Sequence, residues 1–457
     1  MTLRIRRIAY FSFIGVFLII APMLVLYTAG FRFNLARVRV ERTGSLVVET
    51  EVRGATVSIN GQPRGATPFE MSNLPPDTYR VTIDRAGYFS WQRQVTVSGS
   101  RTTFVKYIRL FHQTEPRIAL KGVFRWVQLT PASRRMMLLN TPANQKPKLI
   151  WRTETTGATT AQPVPFDDST ATPQGFSPDD SWLLLRGLNR HNQTTFTIAH
   201  TRRPTMVQMS DITSLALPKM SWDAGPGATL YGVQPDGIFR INIDEKRISV
   251  VDRTGALDYA AEGALAYRMI ALDGKAVLQR INRTTGKLTG TILLPAARRY
   301  RFLPAAPGLL AIAAEDGVWG ISVLKTLAFD QPDQLVEQVI FQGDGTSIRW
   351  APDGRRFAIL NGNELNVFDA ETRQRLLTVR RTKKIMQAAW AGEMPYLLYA
   401  TENELVATEI SEVPPNHYQL AKFDFITDFA VATDAKKAFI VGQRQDQEGL
   451  FELPLTE

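Results

Sequence analysis

The side chains best suited to acid–base or metal chemistry are thinly spread through this sequence of 457 residues, which holds four histidines and no cysteine. His112 follows an apolar run, His191 and His200 flank residues 194–198, and His417 follows Pro414-Pro415. A hydrolytic triad needs a base beside an activated nucleophile, and no serine sits in the Gly-x-Ser-x-Gly turn that would present one. His191 and His200 have no carboxylate at ligand spacing, so zinc is not indicated, and the absence of cysteine removes thiolate sites and disulfides together. Asp179-Asp180, Asp236 and Asp353 lie in turns ahead of or between strand-like runs. There an aspartate satisfies neighbouring backbone groups, which makes these residues turn formers rather than acid catalysts. Gly343-Asp344-Gly345 lacks the alternating acids and terminal glutamate of a calcium loop. The sequence predicts no catalytic residue, no metal site and no cofactor.

Aromatic residues are more orderly. Trp126, Phe176, Trp222, Phe302, Trp350 and Trp390 each begin a copy of one unit: an aromatic, a turn, then an apolar strand. The unit is clearest at 176–185 and 350–360, is weaker near 429, and is weakest at 259–267. Spacing of roughly 40 to 50 residues is that of a four-stranded propeller blade. Such recurrence points to packing between blades rather than to a carbohydrate platform. Eight copies can be counted, with seven as the alternative, and the repeat resembles WD-repeat-like propellers. The last copy supplies three strands, at 429–432, 437–442 and 450–453, and residues 118–123 have strand character without a blade of their own. They are expected to complete the terminal sheet and so remove an open edge. Arg380-Arg381-Thr382-Lys383-Lys384, the dense basic run of this region, reads as a solvated loop.

Ahead of the repeats lies a smaller β pattern. Ala55, Val57 and Ile59 alternate with Thr56, Ser58 and Asn60, and Asn60-Gly61 is a strong two-residue hairpin signal. Thr67-Pro68 and Pro75-Pro76-Asp77 mark further turns, and Tyr79, Val81 and Ile83 rebuild an apolar face before Gly87-Tyr88. Through Gly54-Ala55, Asn60-Gly61, Thr67-Pro68, Leu74-Pro75, Tyr79 and Gly87-Tyr88 this segment resembles the PEGA domain of bacterial surface proteins. It departs from that family at Val52-Arg53 and at Asp77. The resemblance implies a location outside the cytoplasm. Tyr88 and Trp91, which follow the glycine break, are candidate binding residues on the expectation that they are partly exposed.

Net charge is +11, placed unevenly: +6 over residues 1–42, +3 over 43–114 and +2 over the remainder. The excess flanks an uncharged apolar run at 8–30, long enough to cross a bilayer, so nucleic acid is not the expected partner. Arg32, Arg37, Arg39 and Arg42 are candidates for contact with anionic lipid head groups or a polyanion. A cleaved signal peptide competes with the anchor, but the apolar core is long for one.

These readings give a mainly β protein: a cytoplasmic tail at 1–7, a transmembrane helix at 8–30, a basic juxtamembrane segment at 31–43, a PEGA-like domain at 44–110, a linker at 111–116 and a propeller at 117–457. The expected function is non-enzymatic: a single-pass membrane protein whose extracytoplasmic propeller binds or scaffolds a protein or envelope polymer. The alternatives are a propeller-type enzyme acting on envelope glycan or peptide, and an assembly or sensing scaffold using protein contacts only.

Overall fold

The computed structural model describes residues 3–28, 31–34, 39–130, 135–143, 145–166, 171–189, 191–225, 227–273, 275–294, 297, 299–316, 318–330, 338–411 and 414–457. The chain divides into two compact units, one of residues 1–113 with 456–457 and one of residues 114–455.

The first unit begins with helix α1, Leu3–Thr28, of which Tyr10–Thr28 is long and apolar enough to span a membrane. Its apolar side chains, Phe13 and Ile19 among them, are exposed, as a helix without a protein partner requires. Strands β1 (Phe31–Asn34) and β2 (Arg39–Arg42) pair as a hairpin. Seven strands follow: β3 (Gly44–Thr50), β4 (Thr56–Ile59), β5 (Gln62–Ala66), β6 (Phe69–Leu74), β7 (Asp77–Asp84), β8 (Trp91–Val97) and β9 (Thr102–Ile108). They form two sheets, ordered β5-β4-β7-β8 and β6-β3-β9. The alternation read in the sequence sends Val57, Ile59, Val81 and Ile83 into one core with Leu46, Val48, Trp91 and Val95. Asn60 and Gly61 both have positive φ, 51° and 81°, and Ile59 pairs with Gln62, which is the twisted two-residue turn that Asn-Gly favours. Thr67 ties the next corner. Its buried hydroxyl accepts from Ala55 N–H at 3.1 Å and from the Thr50 hydroxyl at 2.9 Å.

The second unit is an eight-bladed propeller among the described residues. Seven four-stranded sheets run consecutively within 124–163, 172–208, 219–252, 258–293, 299–344, 347–380 and 387–422. The eighth holds Phe425–Val431, Lys437–Arg444 and Gln447–Pro454 and is completed by β10, Arg117–Lys121, from the start of the unit. β10 lies antiparallel to the last strand, with Ile118 opposite Phe451 and Leu120 opposite Leu450. This is the pairing expected from the sequence, and it closes the ring: Phe124, Val127 and Leu138 of the first blade share a core with Phe439, Val441 and Leu450 of the eighth. The repeated aromatics serve as latches between blades. The indole N–H of Trp126 donates to Ala171 O, that of Trp222 to Gly175 O, that of Trp350 to Pro304 O and that of Trp390 to Arg349 O, at 2.8 to 3.0 Å.

Candidate functional site

Each blade is an antiparallel meander, so the start of its first strand, its second turn and the end of its fourth strand share one end of the sheet. The first and third turns share the other. The two ends of the propeller differ in chemistry. At the first-turn end, aspartates cap their own turns: Asp179 accepts from the Ser177 hydroxyl at 2.5 Å, Asp353 from Arg355 N–H at 2.9 Å and Asp434 from Lys436 N–H at 3.0 Å. These carboxylates are consumed locally.

The second-turn end carries apolar groups instead. Nine large apolar side chains are exposed among the described propeller residues, and all but Leu288 lie at or near this end. Six of them belong to the third and fourth blades and the connections into them: Leu215, Val250, Val251, Leu257, Leu272 and Leu293. Leu272 sits opposite Lys275 at the second turn of the fourth blade, with Leu293 at the end of that blade's outer strand. They are 53% and 58% exposed, so folding gains little from either as an aliphatic group. The connection carrying Leu257 is held in place by Arg268, which reaches Asp252 at 2.5 Å and the Thr254 hydroxyl at 2.6 Å. Arg253 and Lys275 are exposed beside it. The apolar groups therefore stand on a fixed surface.

The same end opens onto the central channel, where one repeat position stitches the third, fourth, seventh and eighth blades to those that follow. Lys219 Nζ donates to Leu257 O at 2.7 Å and to Tyr300 O at 3.1 Å, joining three blades. Asp258 accepts Phe302 N–H at 2.8 Å, Gln387 donates to Phe429 O at 3.0 Å, and Asp428 accepts Val127 N–H at 2.9 Å across the ring closure. Burial raises the Asp258 carboxyl above its usual range and pushes Asp428 up to about 7, with Arg349 opposing the rise in Asp428. Burial also lowers the Arg349 guanidinium. Asp258 and Asp428 belong to the fourth and eighth blades, half a ring apart, and each is engaged by main-chain donors. No group of three or more His, Asp or Glu among the described residues is placed to hold a metal ion.

The residues singled out in the sequence fall elsewhere. Tyr88 and Trp91 are not partly exposed, as expected, but buried in the small unit's core. Trp91 opens β8 opposite Ile83 and takes the inward phase shared by Val95 and Val97. Tyr88 bridges to His112 and stacks on its ring at 4.2 Å, and burial pushes its phenol up to about 12. Arg32 and Arg39 lie in the β1–β2 hairpin, while Arg42 is exposed with its guanidinium 4.8 Å from the Phe31 ring centroid. Arg37 and Gly30 lie outside the described residues. In the basic loop, Arg380 pairs with Glu364 at 2.8 Å, Arg381 donates to the Tyr399 hydroxyl at 2.6 Å and Lys383 reaches Asn403 at 2.9 Å. Hydrogen bonds from Asn366 and then Arg380 hold Glu364 below the ordinary carboxylate range. His200 accepts two backbone N–H groups, of Arg202 and Arg203, through Nδ1, which fixes it as a turn cap. The apolar end was missed by sequence reasoning. Its one signal is Val250-Val251, because adjacent strand residues face opposite sides and cannot both enter one core.

Residues 43–110 match the family model described as PEGA domain. The small unit carries a PEGA domain. No curated protein matches the chain. Among solved structures, the Dos1 propeller is similar at 11% identity, with 75% of this chain and 95% of that one covered and a TM-score of 0.51. Sqt1 of Saccharomyces cerevisiae is 10% identical, with 76% of this chain and 99% of that one covered, at a TM-score of 0.48. At such identities the first likeness bears on fold, and it agrees with a WD-repeat-like propeller following the PEGA domain.

Proposed function

We propose that this chain is a membrane-anchored, extracytoplasmic binding scaffold whose propeller docks a protein partner through its second-turn end. The observation that carries the reading is the exposed aliphatic group of the third and fourth blades, at the end opposite the self-capped aspartate turns. A clustered apolar surface on a rigid closed ring is the physical form of a protein interface, with Arg253 and Lys275 as a polar rim. The helix Leu3–Thr28 serves as an uncleaved anchor with a short cytoplasmic start, and the arginines of 31–42 meet anionic head groups on the far side. A non-enzymatic role is supported by the engagement of Asp258 and Asp428 with backbone donors, half a ring apart, which does not pair these two carboxylates for acid–base work. The open face of the PEGA sheet favours a second contact, with an envelope polymer. Asn60, Thr78, Arg80, Thr82, Gln92 and Gln94 line a concavity of about 580 Å³ there, a surface made for hydrogen bonding.

Affinity purification of the full chain from native membranes tests the reading. Leu257→Asp with Leu272→Asp should remove a protein that co-purifies with the wild type, whereas Leu288→Asp at the opposite end should retain it. Equal recovery with all three forms would overturn the assignment of the docking end.

A further inference from the structure

The PEGA domain has two sheets whose edge strands β8 and β9 lie side by side, and among the described residues neither edge is paired by a further strand. Main-chain phase fixes which groups face the gap. Arg80 of β7 donates its N–H to Asn60 Oδ1 and accepts Asn60 N–H at its carbonyl, so its backbone faces β4. Tyr79 and Val81 on either side of it must face β8, where their partners are Val95 and Arg93. The N–H and C=O of Gln94, between those partners, therefore point out of the sheet. On β9, Arg101 O accepts Ser45 N–H, so steps of two place Thr103 and Val105 against β3 and turn the main chain of Phe104 and Lys106 outward. One end of the gap is tied: the Thr103 hydroxyl donates to Thr96 O at 3.3 Å. The rest is a groove of about 320 Å³.

Its lip is shaped in a way the fold does not need. The register of β3 and β9 slips between Val48 and Thr50, leaving Tyr107 with φ 60° and its ring 69% exposed. An aromatic residue in that backbone region is strained, and folding recovers nothing by burying the ring. Phe104 beside it is 58% exposed, with Lys106 Nζ 4.7 Å from its ring centroid. The charged side chains lining the groove are Arg93 and Lys106, and Lys106 Nζ also meets Glu49 Oε1 of the neighbouring strand at 3.2 Å, an exposed pair of the weak kind that a partner's carboxylate can exchange.

We propose that this groove binds an extended acidic segment of a partner protein by strand addition, with main-chain hydrogen bonds to Gln94, Phe104 and Lys106 and apolar contact with Phe104 and Tyr107. Unpaired strand edges supply the affinity of such complexes, and the side-chain pockets supply the choice of partner. The cations of the groove select acidic flanks. The site lies on the PEGA domain and does not depend on the propeller face proposed above.

The test uses the full chain in detergent and a fluorescein-labelled hexapeptide of alternating valine and threonine with glutamate at both ends. Saturable anisotropy binding is expected, weakened at least tenfold when the terminal glutamates become lysines, when a central residue becomes proline, or in Lys106→Glu. Both Lys106→Glu and Phe104→Ser change exposed side chains. Hydrogen exchange in the wild type gives a readout that no variant need fold for: amides of 94, 104 and 106 should exchange at least tenfold more slowly with peptide. Absence of binding, equal binding of the proline or lysine peptide, or binding without protection at these amides would overturn the proposal. So would protection that rises with protein concentration alone, which would mean that a second copy of the chain occupies the groove.

Discussion

Gly449 offers a way to disturb ring closure at a single atom. A Cβ built there would stand 2.3 Å from Leu120 O and 3.1 Å from Ile118 Cδ1, both on β10, whereas ordinary contact begins near 3.4 Å. Gly449→Ala must therefore push β10 away by about 1 Å or detach it. Overpacking of this kind costs about 1–3 kcal/mol. A loss of about 2 kcal/mol is expected, read as a lower urea midpoint by tryptophan fluorescence of the purified chain. The decisive comparison is a second background in which Ile118, Ala119 and Leu120 are replaced by glycine and serine. There Gly449→Ala should cost close to nothing, because the clashing strand is already gone, giving a coupling of about 2 kcal/mol between the two changes. An equal cost in both backgrounds, or none in the first, would refute closure by β10.

Gly61→Val should destabilise the PEGA domain by about 1 kcal/mol or more, through its φ of 81° rather than through a clash, since no atom lies within 4 Å of the added Cβ. Thermal melting followed by circular dichroism checks this, and an unchanged melting point would contradict the turn. Arg109 is buried and donates from Nε to Glu51 Oε2 at 2.7 Å and from Nη2 to Glu51 Oε1 at 3.1 Å, so Glu51→Ala should cost about 1.5–3 kcal/mol by removing both charge-assisted hydrogen bonds; an unchanged urea midpoint would contradict it. In Asp428 the folded pKa, about 7, lies above the unfolded carboxylate value, so the folded state holds a proton the unfolded chain has released. Stability should therefore fall as pH rises from about 4 to 7, by on the order of 2–4 kcal/mol after allowance for the group's residual exposure. Asp428→Asn should flatten that part of the profile, and parallel urea midpoints for the two proteins from pH 5 to 8 would exclude the group.

Local pattern accounts for what could be read before the structure. The Asn60-Gly61 turn, the inward phase of Val57, Ile59, Val81 and Ile83, and the blade aromatics each depend on neighbours a few residues away, where strand period and turn chemistry dominate. The terminal blade was legible for a different reason. Three strands without a fourth, and one strand without a sheet, leave a single closing arrangement. The exposure of Tyr88 and Trp91 was misjudged because the strand phase that buries Trp91 is set by pairing with Ile83, and the bridge that covers Tyr88 comes from His112, 24 positions along the chain. The stitching of blades by Lys219, Asp258, Gln387 and Asp428 was invisible for the same cause. Their donors and acceptors lie 38 residues or more away, and the shared repeat position shows only once the inner strands are superposed. Of the apolar end only Val250-Val251 left a trace in the sequence, since Leu215 and Leu257 lie in connections between blades and Leu272 beside a turn, where strand period does not decide exposure.

Photo-crosslinking in the native cell distinguishes the two ends of the propeller. A benzophenone side chain placed at Leu272 or Leu293 of the full-length protein should yield a discrete heavier adduct with a second protein on illumination, and one placed at Leu288 should not. Adducts from Leu288 alone, or none from Leu272 and Leu293 in membranes where the protein is intact, would contradict a propeller that binds its partner through the second-turn end.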